Sequence, residues 1–260
     1  MNHNIKVRLE HLYKKYNNRE YVHPDPLEFL YRYKAVRDRE IAALIASALA
    51  YGRVAQILKS VRVVLDIMGS SPYRYIKNST HESLTKAFSH FSHRFAKGKH
   101  LSALLLNTKT IIEKYGSLHH CFCENANEST NIIPALTHLS DLLARGRLNP
   151  GHLVAIPEKG SACKRMNLFL RWLIRNDNVD PGGWKGVPEN RLIIPLDTHM
   201  HKISLAFGFT KRRQANMRTA LEITDSFKKL APEDPIKYDF ALTRFGIRNE
   251  LSIESLINNA

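Results

Sequence analysis

Ile194-Pro195-Leu196-Asp197-Thr198-His199-Met200 is an apolar, extended stretch closed by an acidic residue that opens an amphipathic helix. Aspartate is a favoured N-cap, because its side chain accepts a bond from an otherwise unpaired backbone N–H and the helix dipole favours its ionised form. The spacing therefore predicts that Asp197 sits at the mouth of a helix as an oriented carboxylate, able to act as a cap and to do chemistry.

A second helix mouth lies upstream. Ile156-Pro157-Glu158-Lys159-Gly160-Ser161-Ala162-Cys163-Lys164-Arg165-Met166 combines turn residues, a potential cap at Ser161, and a helix that begins almost at once. Lys164 is then expected in the first turn, where the dipole and the neighbouring cations Lys159 and Arg165 disfavour its protonated form. A lysine that sheds its proton near neutrality is a nucleophile; a surface lysine on a basic helix is the plainer alternative. Between the two mouths, the segment 177–190 contains Pro181-Gly182-Gly183-Trp184 and Gly186-Val187-Pro188. No helix can run through it, so the chain can turn back and bring the two mouths together.

Outward from these segments the apolar residues recur at helical spacing. Ile41, Leu44, Ile45 and Ala48 follow Asp38, and Val54, Ile57, Leu58, Val61 and Leu65 resume after Tyr51-Gly52, so two helices meet at Gly52. Leu101 to Ile112 form another helix closed by Gly116, and Leu136 to Leu143 one that stops at Gly146. The pattern continues through Met166 to Leu173, Ile203 to Phe207, Met217 to Phe227 and Ala241 to Phe245. Nothing of comparable length alternates with period two. The expected fold is all-α, with roughly ten helices given usual helix and loop lengths; segments 124–130 and 177–190 read as irregular.

The 260 residues are 43% hydrophobic, enough for a buried core, and 39 Lys and Arg against 24 Asp and Glu leave a formal charge of +15. That excess points to a polyanionic partner. Three cysteines and a polar N-terminus without an apolar leader predict a reducing, cytoplasmic setting. No apolar run reaches the roughly 18–20 residues of a membrane span. His119-His120-Cys121-Phe122-Cys123 gathers potential metal ligands, but a structural zinc site needs a second ligand pair, and Cys163 is a single distant thiol; no metal is expected.

Together the two helix mouths resemble those of the helix-hairpin-helix DNA glycosylases. Leu196-Asp197-Thr198-His199 is similar to that superfamily's aspartate motif. Gly160-Ser161-Ala162-Cys163-Lys164, running into Arg165 to Arg171, resembles the hairpin and second helix of the 8-oxoguanine branch, whose lysine is the nucleophile. Asp38 to Val61 resembles the superfamily's first core helices, with a bend at Ala50-Tyr51-Gly52-Arg53. A bacterial family of unassigned function within the superfamily shares that bend, the Tyr21 to Pro26 segment, the lysine segment and Lys237-Tyr238-Asp239-Phe240-Ala241-Leu242. Ala162 stands where the superfamily's hairpin has glycine, the stretch from Lys164 to Asp197 is longer, and the four-cysteine set of an iron–sulfur cluster is missing.

The resemblance implies one glycosylase-like unit over 1–260, made of two helical lobes, with a helix-hairpin-helix region over about 148–176 and an insertion loop at 177–190. It implies excision of a damaged base, an oxidised purine, from duplex DNA, with or without cleavage at the abasic site. Lys164 and Asp197 would be catalytic. Gly160, Ser161, Ala162, Arg165, His199 and Arg53 would contact nucleic acid, with no cofactor, membrane or obligate protein partner. A non-catalytic binder of DNA or RNA on the same fold is the alternative. Trp172, Trp184, Phe240 and Phe245 suit core packing better than a pocket or wedge, and Lys211-Arg212-Arg213 and His201 suit either a solvated surface or phosphate contact.

Overall fold

The computed structural model describes residues 2–126, 131–248 and 251–258. In chain order its helices are α1 (Asn2–Tyr16), α2 (Val36–Ala48), α3 (Val54–Met68), α4 (Pro72–Asn78), α5 (His81–Ala87), α6 (Gly98–Tyr115), α7 (Leu118–Cys123), α8 (Ile133–Ala144), α9 (Lys164–Ile174), α10 (Thr198–Ala206), α11 (Met217–Lys228), α12 (Asp239–Ile247) and α13 (Ile253–Asn258). The fold is all-α, as the periodicity predicts. Side-chain caps start α4, α5, α7, α10 and α11 from Ser71, Thr80, Ser117, Asp197 and Asn216. Gly116 closes α6 at φ 82°, the left-handed conformation that glycine adopts most readily.

Two local features depart from expectation. A two-residue antiparallel hairpin pairs β1 (Ser92–His93) with β2 (Ala96–Lys97); strands this short leave no alternating pattern to read. Within 148–163, where a helix-hairpin-helix motif requires its first helix, the chain forms only two single-turn 3₁₀ helices, Gly151–Leu153 and Pro157–Lys159. Pro150 and Pro157 remove backbone donors, and Gly151 and Gly160 turn left-handed at φ 65° and 76°, so no α-helix can propagate there. Of segment 124–130, residues 127–130 lie outside the described residues.

The core is one apolar cluster running from Leu9 to Leu256, with α2 buried on every side from Glu40 to Ala48. Glu40 projects from this central helix to the start of α7, where its two carboxylate oxygens accept the Leu118 and His119 N–H groups at 3.0 and 2.8 Å. It thus caps α7 from a distance. Burial pushes its carboxyl up to about 7, against the downward pull of those two bonds. The potential metal ligands fall here: His119 stacks on Trp184 at 5.2 Å and meets the Lys185 carbonyl through Nε2 at 2.7 Å. Among the described residues no group of three His, Cys, Asp or Glu is placed to hold a metal, and no helix is long and apolar enough to cross a membrane. Trp172, Trp184, Phe240 and Phe245 are all core residues.

The insertion loop is held in place rather than loose. Asp180, fully buried, accepts from Arg171 Nε at 3.1 Å and Nη2 at 3.0 Å and also pairs with Arg175. Arg171 Nη1 reaches Asp239 on α12 at 2.5 Å, and Arg175 Nη2 reaches Asp234 at 2.9 Å. The Asp177 side chain accepts the Val179 and Asp180 N–H groups, each at 2.8 Å, turning the chain back. Gly182 and Trp184 then donate to the Trp172 and Leu173 carbonyls at 3.1 and 2.8 Å. Arg39 of α2 donates to the Pro181 and Gly182 carbonyls at 3.0 and 2.9 Å.

Removing one member of a buried ion network leaves the others uncompensated. Asp180→Ala is expected to destabilise the fold by about 3–5 kcal/mol in urea denaturation; a loss below about 1 kcal/mol would show that the two guanidiniums find other partners. Glu40 supplies a pH test. Its folded pKa is raised, so the folded state binds more protons than the unfolded one between about 4.5 and about 7. Stability from this group is therefore present below that window and lost as pH rises through it. The difference in Tm between wild type and Glu40→Gln should change across that window, and a constant difference from pH 4 to 8 would contradict the burial effect.

Candidate active site

Lys164 is the first residue of α9 and Asp197 the N-cap of α10, as their sequence settings predict. The two carboxylate oxygens of Asp197 do different work. Oδ1 accepts the Met200 N–H at 2.8 Å, closing the cap, while Oδ2 faces Lys164 Nζ at 3.6 Å. The cap bond fixes the rotamer, and the free oxygen is thereby aimed at the amine. Asp197 is the one carboxylate within 4.0 Å of that amine among the described residues. The pair remains open to solvent, with the lysine side chain 34% and the aspartate 15% exposed.

Both side chains line a cleft of about 530 Å³. One wall is the bend between α2 and α3, from Ala50 to Gly52 and on to Val54 and Ile57. The other is built from α9, the start of α10 and α12, and Pro24 to Pro26 close one end. Lys164, Arg165, Arg171 and Arg244 face the cleft together with Asp25, Asp197 and Asp239. Each of these acids has a cation: Asp197 has Lys164, Asp239 has Arg171, and Asp25 has Arg244 at 2.7 Å. The Arg171–Asp239 pair is buried, and Arg244 is buried while its partner Asp25 is half-buried; Lys164 is the most exposed member of the three pairs, where a ligand can reach it.

The other sequence-predicted residues divide. Ser161 and His199 line the cleft with the pair. The His199 ring lies over Gly246, where a Cβ would come within 2.2 Å of Nδ1, so the absent side chain is what seats the imidazole. Arg165 also borders the cleft, but its guanidinium turns inward. It donates to the Ala48 carbonyl at 2.6 Å and to that of His152, and stands 5.1 Å from the centre of the Tyr51 ring. Expected to contact nucleic acid, it ties α9 to the end of α2 in the structure by donating to those carbonyls. Gly160, Ala162 and Arg53 do not line the cleft. Gly160 closes a 3₁₀ turn with open space beside it, Ala162 is buried, and Arg53 is exposed at the start of α3.

Ser161 does not cap α9 in the expected manner. Its Oγ accepts the Cys163 N–H at 3.2 Å, and Cys163 precedes the helix in the left-handed region at φ 48°. Asn167 Nδ2, one turn into the helix, donates back to the Ala162 carbonyl at 3.0 Å.

Two residues at the cleft carry no site signal in the sequence by themselves. Tyr51 donates its hydroxyl to the His93 carbonyl at 2.9 Å and meets His152 Nε2 at 2.8 Å. Asp239 is buried, and burial pushes its carboxyl up to about 6, with Arg171 pulling it down and the nearby Asp197 charge pushing it further up. Their roles come from residues distant in sequence, which no local pattern reports.

A family model described as a protein of unknown function (DUF2400) matches residues 25–248. No curated protein and no solved structure matches the chain. The chain belongs to the DUF2400 family, and the matched span contains every residue of the cleft except Pro24.

The double duty of Asp197 is separable by substitution. Asparagine caps about as well as aspartate, whereas alanine loses about 1 kcal/mol. Asp197→Asn should therefore retain wild-type stability while removing the charge opposite Lys164, and Asp197→Ala should lower the denaturation midpoint. Equal stability of the two variants would mean that the cap bond contributes nothing.

Proposed function

We propose that this DUF2400 chain is a DNA base-excision glycosylase of the helix-hairpin-helix type, with Lys164 as nucleophile and Asp197 as the carboxylate that supports it. The observation that carries this reading is the 3.6 Å approach of Lys164 Nζ to Asp197 Oδ2 on the wall of an open cleft. Departure of a base builds positive charge on the sugar, and a fixed carboxylate stabilises that charge. The proton the amine must shed has the same carboxylate as its neighbour. The Nζ lone pair then bonds to the anomeric carbon as the glycosidic bond breaks, and the base leaves with the bonding electrons and takes up a proton. Opening of the sugar ring yields a Schiff base, from which elimination cleaves the strand.

In this reading the substrate is duplex DNA carrying an oxidised purine. The target nucleotide turns out of the stack, at a cost of a few kcal/mol, into a cleft between two helical lobes. The charge of +15 supports a polyanionic partner, and three unpaired cysteines suit a reducing cytoplasm. A second reading, a non-catalytic binder of DNA or RNA, draws on the pair itself, since an ion pair is also a plain structural link between α9 and α10, and on the 3₁₀ turns that stand where a hairpin motif has its first helix.

Borohydride trapping separates the two. Duplexes carrying 8-oxoguanine or an abasic site should give a covalent adduct with wild type and none with Lys164→Ala, and Asp197→Asn should slow adduct formation by about 100-fold or more, the usual loss on removing an electrostatic stabiliser. Salt-sensitive binding without adduct or base release on any such duplex would leave the non-catalytic reading.

A further inference from the structure

The α2–α3 wall of the cleft continues into the β1–β2 hairpin, whose tip carries a side chain that packing does not explain. Phe95 is 70% exposed, the most exposed large apolar side chain and the one aromatic in that class among the described residues. The residue before it, Arg94, turns the chain at φ 51°, a conformation that L side chains adopt at a cost. The Arg94 guanidinium lies 5.4 Å from the centre of the Phe95 ring, and its Cδ closes on Gly52 of the cleft wall, where a Cβ would stand 2.8 Å away.

Beneath the tip is a connected set of rings. Phe95 meets His152 edge-on at 6.0 Å, His152 meets Tyr51 at 5.0 Å, and Tyr51, which lines the cleft, meets His93 at 4.6 Å. His93 is buried with both ring nitrogens engaged, Nδ1 with Ser60 Oγ at 2.9 Å and Nε2 with the Tyr51 carbonyl at 3.1 Å. The hairpin is thus fastened to the cleft wall, and Phe95 stands at a fixed offset from the cleft. Arg94, Lys97 and Lys99, within four residues of it in the chain, and Arg53 at the start of α3 are exposed.

We propose that Phe95 is an intercalating wedge, entering the base stack of duplex DNA at the gap left when a nucleotide turns into the cleft. The inference rests on the reading of duplex DNA as the partner and adds the element that holds the duplex open. A single exposed apolar ring with the Arg94 guanidinium against it is poorly suited to a protein interface, which needs a broader apolar surface. It suits a base stack, where the cations meet phosphates, the ring offers a π-face to the orphaned bases, and its volume replaces that of the departed base.

The test uses the full chain and two duplexes of one sequence, one intact and one carrying a tetrahydrofuran abasic analogue opposite 2-aminopurine. Phe95→Ala should weaken binding to the gapped duplex about tenfold, the loss expected for one base–aromatic stack, with no more than about a twofold change on intact duplex, where nothing has left the stack. It should also abolish the fluorescence change of 2-aminopurine on binding, and Phe95→Trp should restore both. An unchanged Tm verifies that the exposed substitution leaves the fold intact. Equal weakening on both duplexes, no weakening on either, or a persistent 2-aminopurine signal in Phe95→Ala overturns the wedge, while Lys164-dependent trapping leaves the glycosylase reading standing. Wild type that binds neither duplex overturns both, and a Phe95 effect without trapping supports the wedge while removing the chemistry.

Discussion

The site depends on the buried contact between Arg171 and Asp180. α9 begins with the amine and α10 with the carboxylate, and the chain between them is too irregular to fix their relation by itself. Asp180 supplies the constraint, since it accepts two bonds from Arg171 and pairs with Arg175, which draws the loop against the face of α9. Arg171 then extends the link to Asp239 on α12. Charges taken out of water on this scale are costly and offset that cost only where nearly every donor and acceptor is matched. Arg171 and Arg175 face four aspartates, Asp177 joining at 2.8 Å from Arg175, yet one oxygen each of Asp234 and Asp239 is left without a partner, so the network fixes position rather than adding a large net gain in stability.

From that anchor follows the division of labour at Asp197. A carboxylate free to rotate would pair with Lys164 in many geometries. With Oδ1 committed to the Met200 N–H, only Oδ2 is left to face the cleft. The cap therefore contributes twice, by satisfying an orphan donor of α10 and by preorganising the second oxygen. Preorganisation matters because a stabilising charge that must first reorient spends part of its effect on doing so.

What could be read from sequence was what local patterns encode. Helical spacing marked the all-α class, Gly116 the end of α6, and the Leu196-Asp197-Thr198 junction the cap of α10. The expectation that 177–190 would fold back so that the two helix mouths meet corresponds to the 3.6 Å pair. Local patterns do not report a partner that is remote in sequence. Arg165, expected to contact nucleic acid, has its donors taken by two carbonyls that only the tertiary fold brings to it. The resemblance implies a helix-hairpin-helix region over about 148–176, of which Lys164–Ile174 is helical, while Pro150-Gly151 and Pro157 with Gly160 confine the part before it to two 3₁₀ turns. Asp239 and Tyr51 acquire their places from contacts across more than forty residues, to Arg171 and to His93 and His152.

Lys164 and Asp197 both stand at helix N-termini, and the consequences for them are opposite. At the start of α10 the Asp197 side chain accepts the Met200 N–H and so satisfies one orphan donor at the positive end of the helix. At the start of α9 the same field meets a cation, Lys164, and Asp197 Oδ2 lies 3.6 Å from its amine. An anionic ligand entering the cleft at the pair would approach two helix mouths at once, drawn by the field of α9 and by the amine but repelled by the Asp197 carboxylate. A ligand with a neutral or developing positive centre at the pair and negative groups on either side matches that distribution, with the centre against Oδ2 and the anions over the exposed cations of the rim. A sugar flanked by phosphates has that order of charge along its length. A free anion of similar size does not, because it would bring its own charge against Asp197. On the proposed reading, that order of charge suits an extended polyanion threaded past the pair better than a compact one lodged in the cleft.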